Sequence, residues 1–287
     1  MPPIERIGII SKPNVDQAYR LVPQILQWCH GYGIDVRYDH PTAQYAGRTD
    51  GLMREEVPEG CQLVIVLGGD GTLLSAARAL GGRDTPIFAV NLGGLGFLTA
   101  ITMDQLFPEL ERALRGEHRV KPRRMLHCEL WRDDSVIAQY TALNDIVITK
   151  AALARMIDLE TYVDSHFVCS YKADGLIICT PTGSTAYSLS AGGPIMLPTV
   201  AALCITPICP HMLTNRPVLV PDDSVVSIES RAGNDGAYLT IDGQVGMDLQ
   251  RDDRVVCKRS EKSVHLIRPP KSLFFDVLRE KLSWGER

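Results

Sequence analysis

The sequence predicts an α/β amino-terminal domain with a parallel sheet, an all-β, sandwich-like carboxyl-terminal domain, and a final helix that docks back. Three patterns carry that prediction. Residues 6–115 alternate short β-branched apolar runs with longer stretches of helical period, which is how strand–helix–strand units with a parallel sheet read. From about residue 120 onward, apolar and polar residues alternate with a period of two between Gly, Asn and Asp turn signals, as in packed antiparallel sheets. The tail, Leu273 to Trp284, is apolar enough for one helix. The boundaries drawn are 1–120, 121–270 and 271–287.

The elements follow in order. Arg6 to Ile10 is a short apolar strand. From Asp16 to His30 the apolar positions Ala18, Leu21, Val22, Ile25, Leu26 and Trp28 keep helical spacing, and Gly31 and Gly33 bracket its end. Ile34 to Tyr38 is a second strand, and the polar stretch from Asp39 to Gly60 reads as a loop with some local helix. Leu63 to Leu67 is unbroken, apolar and β-branched, suited to a strand buried on both faces. It runs into Gly68-Gly-Asp-Gly-Thr72 and then a helix of Leu73, Leu74, Ala76, Ala77, Ala79 and Leu80. Pro86 to Asn91 is a fourth strand, and Met103 to Arg115 is helical.

In the second half, Arg123 to Trp131 and Val136 to Lys150 read as strands joined across a hairpin at Arg132 to Ser135. Ile157 to Val163, Val225 to Glu229, Ala237 to Ile241, Arg254 to Cys257 and Val264 to Ile267 continue the pattern, with Gly-Asn-Asp-Gly and Asp-Gly turns between them.

Composition narrows the functional classes. An apolar fraction of 45% describes an ordinary globular chain. With a net charge of −4 and no long Lys/Arg cluster, a nucleic-acid groove is not expected. No apolar run approaches the roughly 20 residues of a bilayer span, and the first residues lack signal-peptide regions, so a cytoplasmic protein without a membrane partner is expected. None of the eight cysteines forms a Cys-x-x-Cys pair, so buried, reduced thiols are expected rather than zinc ligands or a disulfide framework.

Two dense regions carry the candidate chemistry. The first is the strand-to-helix turn at Asp70. Gly68, Gly69 and Gly71 free the backbone for close approach of a ligand, and the turn ends at Thr72. A carboxylate in such a phosphate-friendly turn can accept from sugar hydroxyls, act as general base or hold a metal; alternatively it caps the helix. Asn91 to Phe97 ends the neighbouring strand, where Gly93 and Gly94 could cradle phosphates or form a plain tight turn. The second region, Lys172 to Ser190, is a buried strand followed by Thr180, Thr182, Gly183, Ser184 and Thr185, whose hydroxyls and amides suit a nucleotide's polar edges. Asp174 could meet a cationic ring or an amide. Ser184 lacks the Gly-x-Ser-x-Gly elbow of a hydrolase. Asn144-Asp145, set inside an apolar strand, needs partners and reads either as a ribose or base contact or as a bulge. Asp242-Gly-Gln244 reads as a hairpin turn.

Taken together in order, Leu67-Gly-Gly-Asp-Gly-Thr72, Asn91 to Leu98, Leu143-Asn-Asp-Ile146, Ala173 to Ile177, Thr180-Pro-Thr-Gly-Ser-Thr-Ala-Tyr-Ser188 and Ile241-Asp-Gly-Gln244 resemble the bacterial NAD kinases, from about Ile4 to the final helix. The Gly-Gly-Asp-Gly-Thr piece alone is shared with lipid kinases. The resemblance implies an α/β domain plus a β-rich domain. It also implies transfer of a phosphoryl group from ATP, or polyphosphate, to the 2′-hydroxyl of the adenosine ribose of NAD. It implies that Asp70 is the proton acceptor and a ribose ligand, with Gly71 beside it. Asn144 and Asp145 match an Asn-Glu/Asp pair on the adenosine half, Asp145 being the shorter alternative. By the same resemblance, Asp174 lies near the nicotinamide amide. Thr185, Ala186, Tyr187, Ser188, Leu189 and Ser190 line the adenine and nicotinamide pockets. Arg155 and Lys172 are basic contacts, Lys172 standing where arginine is frequent, and Gln244 is the glutamine of the Asp-Gly-Gln turn. A divalent cation, Mg²⁺, brought with the phosphate donor, and a homodimer or homotetramer are implied too. The readings left beside it are a lipid kinase of the diacylglycerol type and a non-catalytic NAD-binding regulator.

Overall fold

The computed structural model describes residues 4–94, 96–151, 156–231, 236–269 and 274–284. Two compact units emerge. One comprises residues 1–122 with 264–287, the other residues 123–263.

The first unit is a parallel sheet flanked by helices. Its elements are β1 Arg6–Ser11, α1 Asp16–Gly31, β2 Asp35–Tyr38, α2 His40–Tyr45, β3 Leu63–Leu67, α3 Asp70–Ala79, β4 Ile87–Val90 and α4 Leu106–Leu114. β2, β1, β3 and β4 lie side by side, all parallel. All five residues of β3 are buried, as its uninterrupted apolar run requires of a central strand. α1 turns Ala18, Leu21, Val22, Ile25 and Cys29 onto the core, and Gly33, at φ +68°, ends it in the left-handed region. Leu73, Leu74, Ala76, Ala77 and Ala79 bury most of α3, so its amino terminus is fixed firmly at the end of β3.

The second unit is a sandwich. Its elements begin with β5 Arg119–Arg132, β6 Ser135–Ala142, β7 Asp145–Lys150, β8 Ile157–Val163, β9 His166–Ala173 and β10 Gly175–Cys179. They continue with α5 Tyr187–Ser190, β11 Ala202–Ile208, β12 Val218–Pro221, β13 Val226–Ser230, β14 Ala237–Ile241, β15 Val245–Leu249 and β16 Arg254–Arg268. One sheet runs β12-β11-β10-β7-β14-β15; the other contains β16-β13-β8-β9 with β5 and β6. Leu130, Ile146, Ile148, Leu159, Ile178, Ile205, Ile228 and Leu239 interdigitate between the two sheets. The last turns of the chain return to the first unit: Leu266 pairs in parallel with Ile87, and α6, Phe274–Leu282, buries Val277 and Leu278.

Several expectations shift. Val136 to Lys150 is two strands, because the chain breaks at Leu143-Asn144, where the backbone amides leave the ladder for a side-chain carboxylate. Arg254 to Ile267 lies in one fifteen-residue strand, Arg254–Arg268, instead of two. Its last residues, from Val264, group with the first unit, whereas the sequence reading kept residues up to 270 in the β-rich domain. The stretch after Thr182 is a 3₁₀ turn, Gly183–Thr185, and a single helical turn, α5. β9, β11, β12 and β15 were not anticipated. Of the eight free cysteines, Cys209 is exposed and Cys169 half-buried. The Gly-Asn-Asp part of the expected turn before Gly236 lies outside the described residues.

Candidate active site

The turn at Asp70 is built to present a carboxylate, and that carboxylate does not cap its own helix. Gly69 is the N-cap of α3 and receives no side-chain bond; its carbonyl accepts Thr72 N–H at 3.0 Å and Leu73 N–H at 3.2 Å. A Cβ on Gly68 would run into Thr72 Oγ1, so only glycine lets this turn close on buried Thr72. Asp70 reaches instead to the loop after β4. Its Oδ2 accepts Phe97 N–H at 2.9 Å, while its Oδ1 accepts Leu98 N–H at 3.1 Å, Thr99 N–H at 3.2 Å and the Thr99 hydroxyl at 3.2 Å. Three successive amides converging on one group form a nest for negative charge. Oδ2, with one amide partner, keeps accepting capacity for a further donor.

The loop itself is fastened by Asn91. Its Nδ2 donates to Gly94 O and to Thr99 Oγ1, both at 2.8 Å, and its Oδ1 accepts Gly93 N–H at 2.7 Å. Arg268 donates to Phe97 O at 2.8 Å. A Cβ on Gly96 would collide with Asp70 Oδ1 and Thr99 Oγ1. Gly93 and Gly94 are exposed, and the Gly93 amide is already spent on Asn91.

In the second unit a cavity of about 300 Å³ opens on the β7–β14 face of the six-stranded sheet. Asn144, Asp145, Val147 and Thr149 contribute from β7 and its start, Thr240, Asp242 and Gly243 from β14 and its turn, and Ala186 and Tyr187 from above. Asp242, at φ +50°, turns its carboxylate back onto the neighbouring strand. It accepts Leu143 N–H at 3.0 Å, Asn144 N–H at 2.7 Å and Asp145 N–H at 3.2 Å. This is the same device as Asp70 and residues 97–99, and it is what divides β6 from β7.

Asp145 is buried beside this charge. Burial, and then the Asp242 charge, push its carboxyl up to about 7, so near neutrality it exists substantially as an acid able to donate a hydrogen bond. The Asn144 side-chain oxygen is buried and has no hydrogen-bond partner among the described residues, which leaves it for a ligand donor. Gly183 sits so close to Asn144 that a Cβ would strike its backbone carbonyl. Thr180 Oγ1 donates to Leu143 O at 2.6 Å and accepts Gly183 N–H at 3.1 Å, tying the two segments together.

The other expected positions divide. Ala186 and Tyr187 line the cavity; Ser188 is buried with its hydroxyl 2.9 Å from Thr206 Oγ1. Thr185 and Leu189 are half-buried and Ser190 exposed, none of them lining it. Asp174 pairs with Lys150, Oδ1 to Nζ at 2.6 Å. Lys172 is exposed on β9, and Gln244 is exposed in the β14–β15 turn, where Asp242 and Gly243 face the cavity instead. Gly71 is exposed beside Asp70. Arg155 lies outside the described residues.

Comparison with known proteins gives this geometry a family. The model of the ATP-NAD kinase N-terminal domain matches residues 7–118, and that of the ATP-NAD kinase C-terminal domain matches residues 143–269. The chain belongs to the NAD kinase family. It is 63% identical to the NAD kinase of Solibacter usitatus over 287 residues, covering all of both chains. It is 46% identical to that of Koribacter versatilis, over 99% of this chain and all of the relative. Among solved structures it is similar to yeast NADH kinase complexed with NADH, at a TM-score of 0.92 and 25% identity, over 100% of this chain and 90% of that one. It is also similar to an NAD kinase from Archaeoglobus fulgidus in complex with ATP, at a TM-score of 0.78 and 26% identity, over 97% and 98%.

Within the family frame, three functional candidates were not singled out from sequence: Asp242, Lys150 and Thr99. Asp242 stood in the quoted Asp-Gly-Gln motif but read as turn chemistry. Lys150 ended a strand without any marker. Thr99 followed the glycine turn of residues 93–96 with nothing to separate it from loop residues.

Proposed function

We propose that this chain is an NAD kinase, which transfers a phosphoryl group from ATP to the 2′-hydroxyl of the adenosine ribose of NAD and so makes NADP. The observation that carries the reading is the full-length relationship to NAD kinases across both family domains. The lipid-kinase alternative rested on the Gly-Gly-Asp-Gly-Thr turn alone, which such kinases share; both family matches here are to NAD kinase domains.

Each part of the site has work it can do. Asn144 and Asp145 take the adenosine half of NAD: the unpartnered amide oxygen of Asn144 accepts, and the protonated Asp145 donates. Asp70 takes the ribose hydroxyl through the remaining capacity of Oδ2. A ribose hydroxyl is far too weak an acid for a carboxylate to deprotonate in advance. In a loose phosphoryl-transfer transition state the proton leaves late, so Asp70 orients the hydroxyl and accepts its proton as the O–P bond forms. Because the nest of amides at residues 97–99 fixes the carboxylate, no reorganisation is needed at that moment.

Mg²⁺ belongs with the donor in this reading. It would be carried on the donor's phosphates, the usual arrangement for Mg²⁺. When bound it would offset phosphate charge. We further propose a homo-oligomer, dimer or tetramer, acting in the cytoplasm; eight free thiols suit a reducing compartment. No described helix is long and apolar enough to cross a membrane.

A coupled assay of purified protein tests the activity. NADP should form from NAD with ATP, and comparison with polyphosphate and with NADH defines donor and acceptor. NAD binding without any NADP formation would make the chain a binding module instead. Light scattering reads the oligomer.

A further inference from the structure

A row of side chains crosses the cavity face of the six-stranded sheet, and it ends in two thiols. Asp145 of β7 stands opposite Cys179 of β10, and Cys179 stands opposite Cys204 of β11. Directly opposed residues in antiparallel strands point to the same face. The two cysteines thus sit side by side on that face. From Cys204 the chain of contacts continues to Thr206 Oγ1 at 3.3 Å and on to Ser188 Oγ at 2.9 Å. Ser188 belongs to α5, and the residues just before it, Ala186 and Tyr187, line the cavity.

We propose that Cys179 and Cys204 form a reversible cross-strand disulfide that weakens NAD binding through Thr206 and Ser188. The binding half of this inference rests on the reading of the cavity as an NAD site. The register suits the bond, since opposed antiparallel residues lie about 4.5–5.5 Å apart at Cα, inside the range of about 4.4–6.8 Å that disulfides span. Reactivity is asymmetric. Within the pair, the neighbouring thiol and then the Thr206 hydroxyl favour the Cys204 thiolate against its burial, so Cys204 is taken as the nucleophile.

The oxidant required is a small peroxide. The Cys204 thiolate attacks one peroxide oxygen, the O–O bond breaks, and hydroxide leaves a sulfenic acid. The Cys179 sulfur then attacks the sulfenic sulfur; water leaves with the thiol proton and the S–S bond forms. Both thiols are fully buried, and their row begins at cavity-lining Asp145, the side from which a small oxidant would enter. In the bonded state Cys204 no longer meets Thr206 as a thiol, and Thr206 and Ser188 must re-pair under α5. A second thiol pair, Cys128 and Cys257, lies fully buried in the sandwich core, and its Cys257 thiol is raised well above the ordinary value. It serves as an internal comparison whose strands, through His127, Tyr140 and Lys258, line a different pocket.

The test treats the purified full-length enzyme with hydrogen peroxide and maps disulfides by mass spectrometry under non-reducing conditions. NAD affinity is followed by titration calorimetry, which needs no turnover. The expected result is a linked Cys179–Cys204 peptide ahead of any Cys128–Cys257 link. NAD affinity should fall roughly fivefold to tenfold, recover with dithiothreitol, and stay unchanged by peroxide in Cys179→Ala and Cys204→Ala. Peroxide oxidation that leaves these two thiols unlinked overturns the proposal. So does a link that leaves NAD affinity unchanged, or a loss of affinity that persists in both variants. If the reduced enzyme binds NAD but forms no NADP, the activity reading fails by itself while the disulfide still stands or falls on the mapping.

Discussion

Asp242 accepts the backbone N–H of Asn144 at 2.7 Å across 98 residues of sequence, and Leu143 and Asp145 donate to the same carboxylate. The site pair Asn144-Asp145 is therefore held by a residue that need not touch substrate at all. Replacing Asp242 by Ala strands three amides, two of them in buried bonds, and should cost about 3 kcal/mol of stability. The accompanying rise in KM for NAD should exceed any change in kcat. Urea denaturation and steady-state kinetics together read both effects.

Asp145 makes stability depend on pH. Its carboxyl rises from 3.8 to about 7 on folding. Between those values the folded protein holds a proton that the unfolded chain has released, so stability is highest below about pH 4, falls as pH rises through 7, and is flat above. The fall should be on the order of 4 kcal/mol. Asp145→Asn should abolish this component and be relatively more stable at pH 8 than at pH 5, when each is compared with wild type. Denaturation midpoints at those two pH values measure it.

Glycine is required where two site segments touch. A Cβ at position 183 would strike the Asn144 carbonyl, and one at 96 would strike Asp70 Oδ1. Gly183→Ala should destabilise by about 1–3 kcal/mol and raise KM for NAD. Gly96→Ala displaces the carboxylate, so its loss should appear in kcat. The KM-against-kcat split between the two variants is the diagnostic.

Lys150 and Asp174 are each about a third exposed, at 35%, so their ion pair contributes little to stability, about 0–1 kcal/mol. Lys150→Met should leave the melting temperature nearly unchanged while raising KM for NAD if Asp174 reads the nicotinamide amide. An unchanged KM would remove Asp174 from the site.

What the sequence disclosed, and what it hid, follows from range. The β3 run and the glycine turn at Asp70 were legible because burial on two faces and a strand-to-helix break both leave local patterns. The hairpin at residues 132–135 was legible for the same reason. The grips of Asp70 on residues 97–99 and of Asp242 on residues 143–145 were not, since no local pattern marks a carboxylate that answers amides so far away. β11 escaped because its run, Ala202-Leu-Cys-Ile-Thr-Pro-Ile208, is buried on both faces and carries a proline, so neither alternation nor length marks it as a strand. β9 escaped for the opposite reason: it pairs on one side with β8 and is largely exposed, with Phe167 60% accessible.

Asp70 carries the central claim. Asn at this position keeps the shape but turns an amide N–H₂ toward donors, and it cannot take a proton. The decisive measurement is NADP formation from NAD and ATP by wild type and Asp70→Asn, with melting temperature and NAD affinity measured on both proteins. The account predicts robust NADP formation by wild type and a loss of roughly 10²–10⁴-fold in kcat for Asp70→Asn, with NAD affinity within a few-fold. A folded Asp70→Asn enzyme that turns over at the wild-type rate would contradict it.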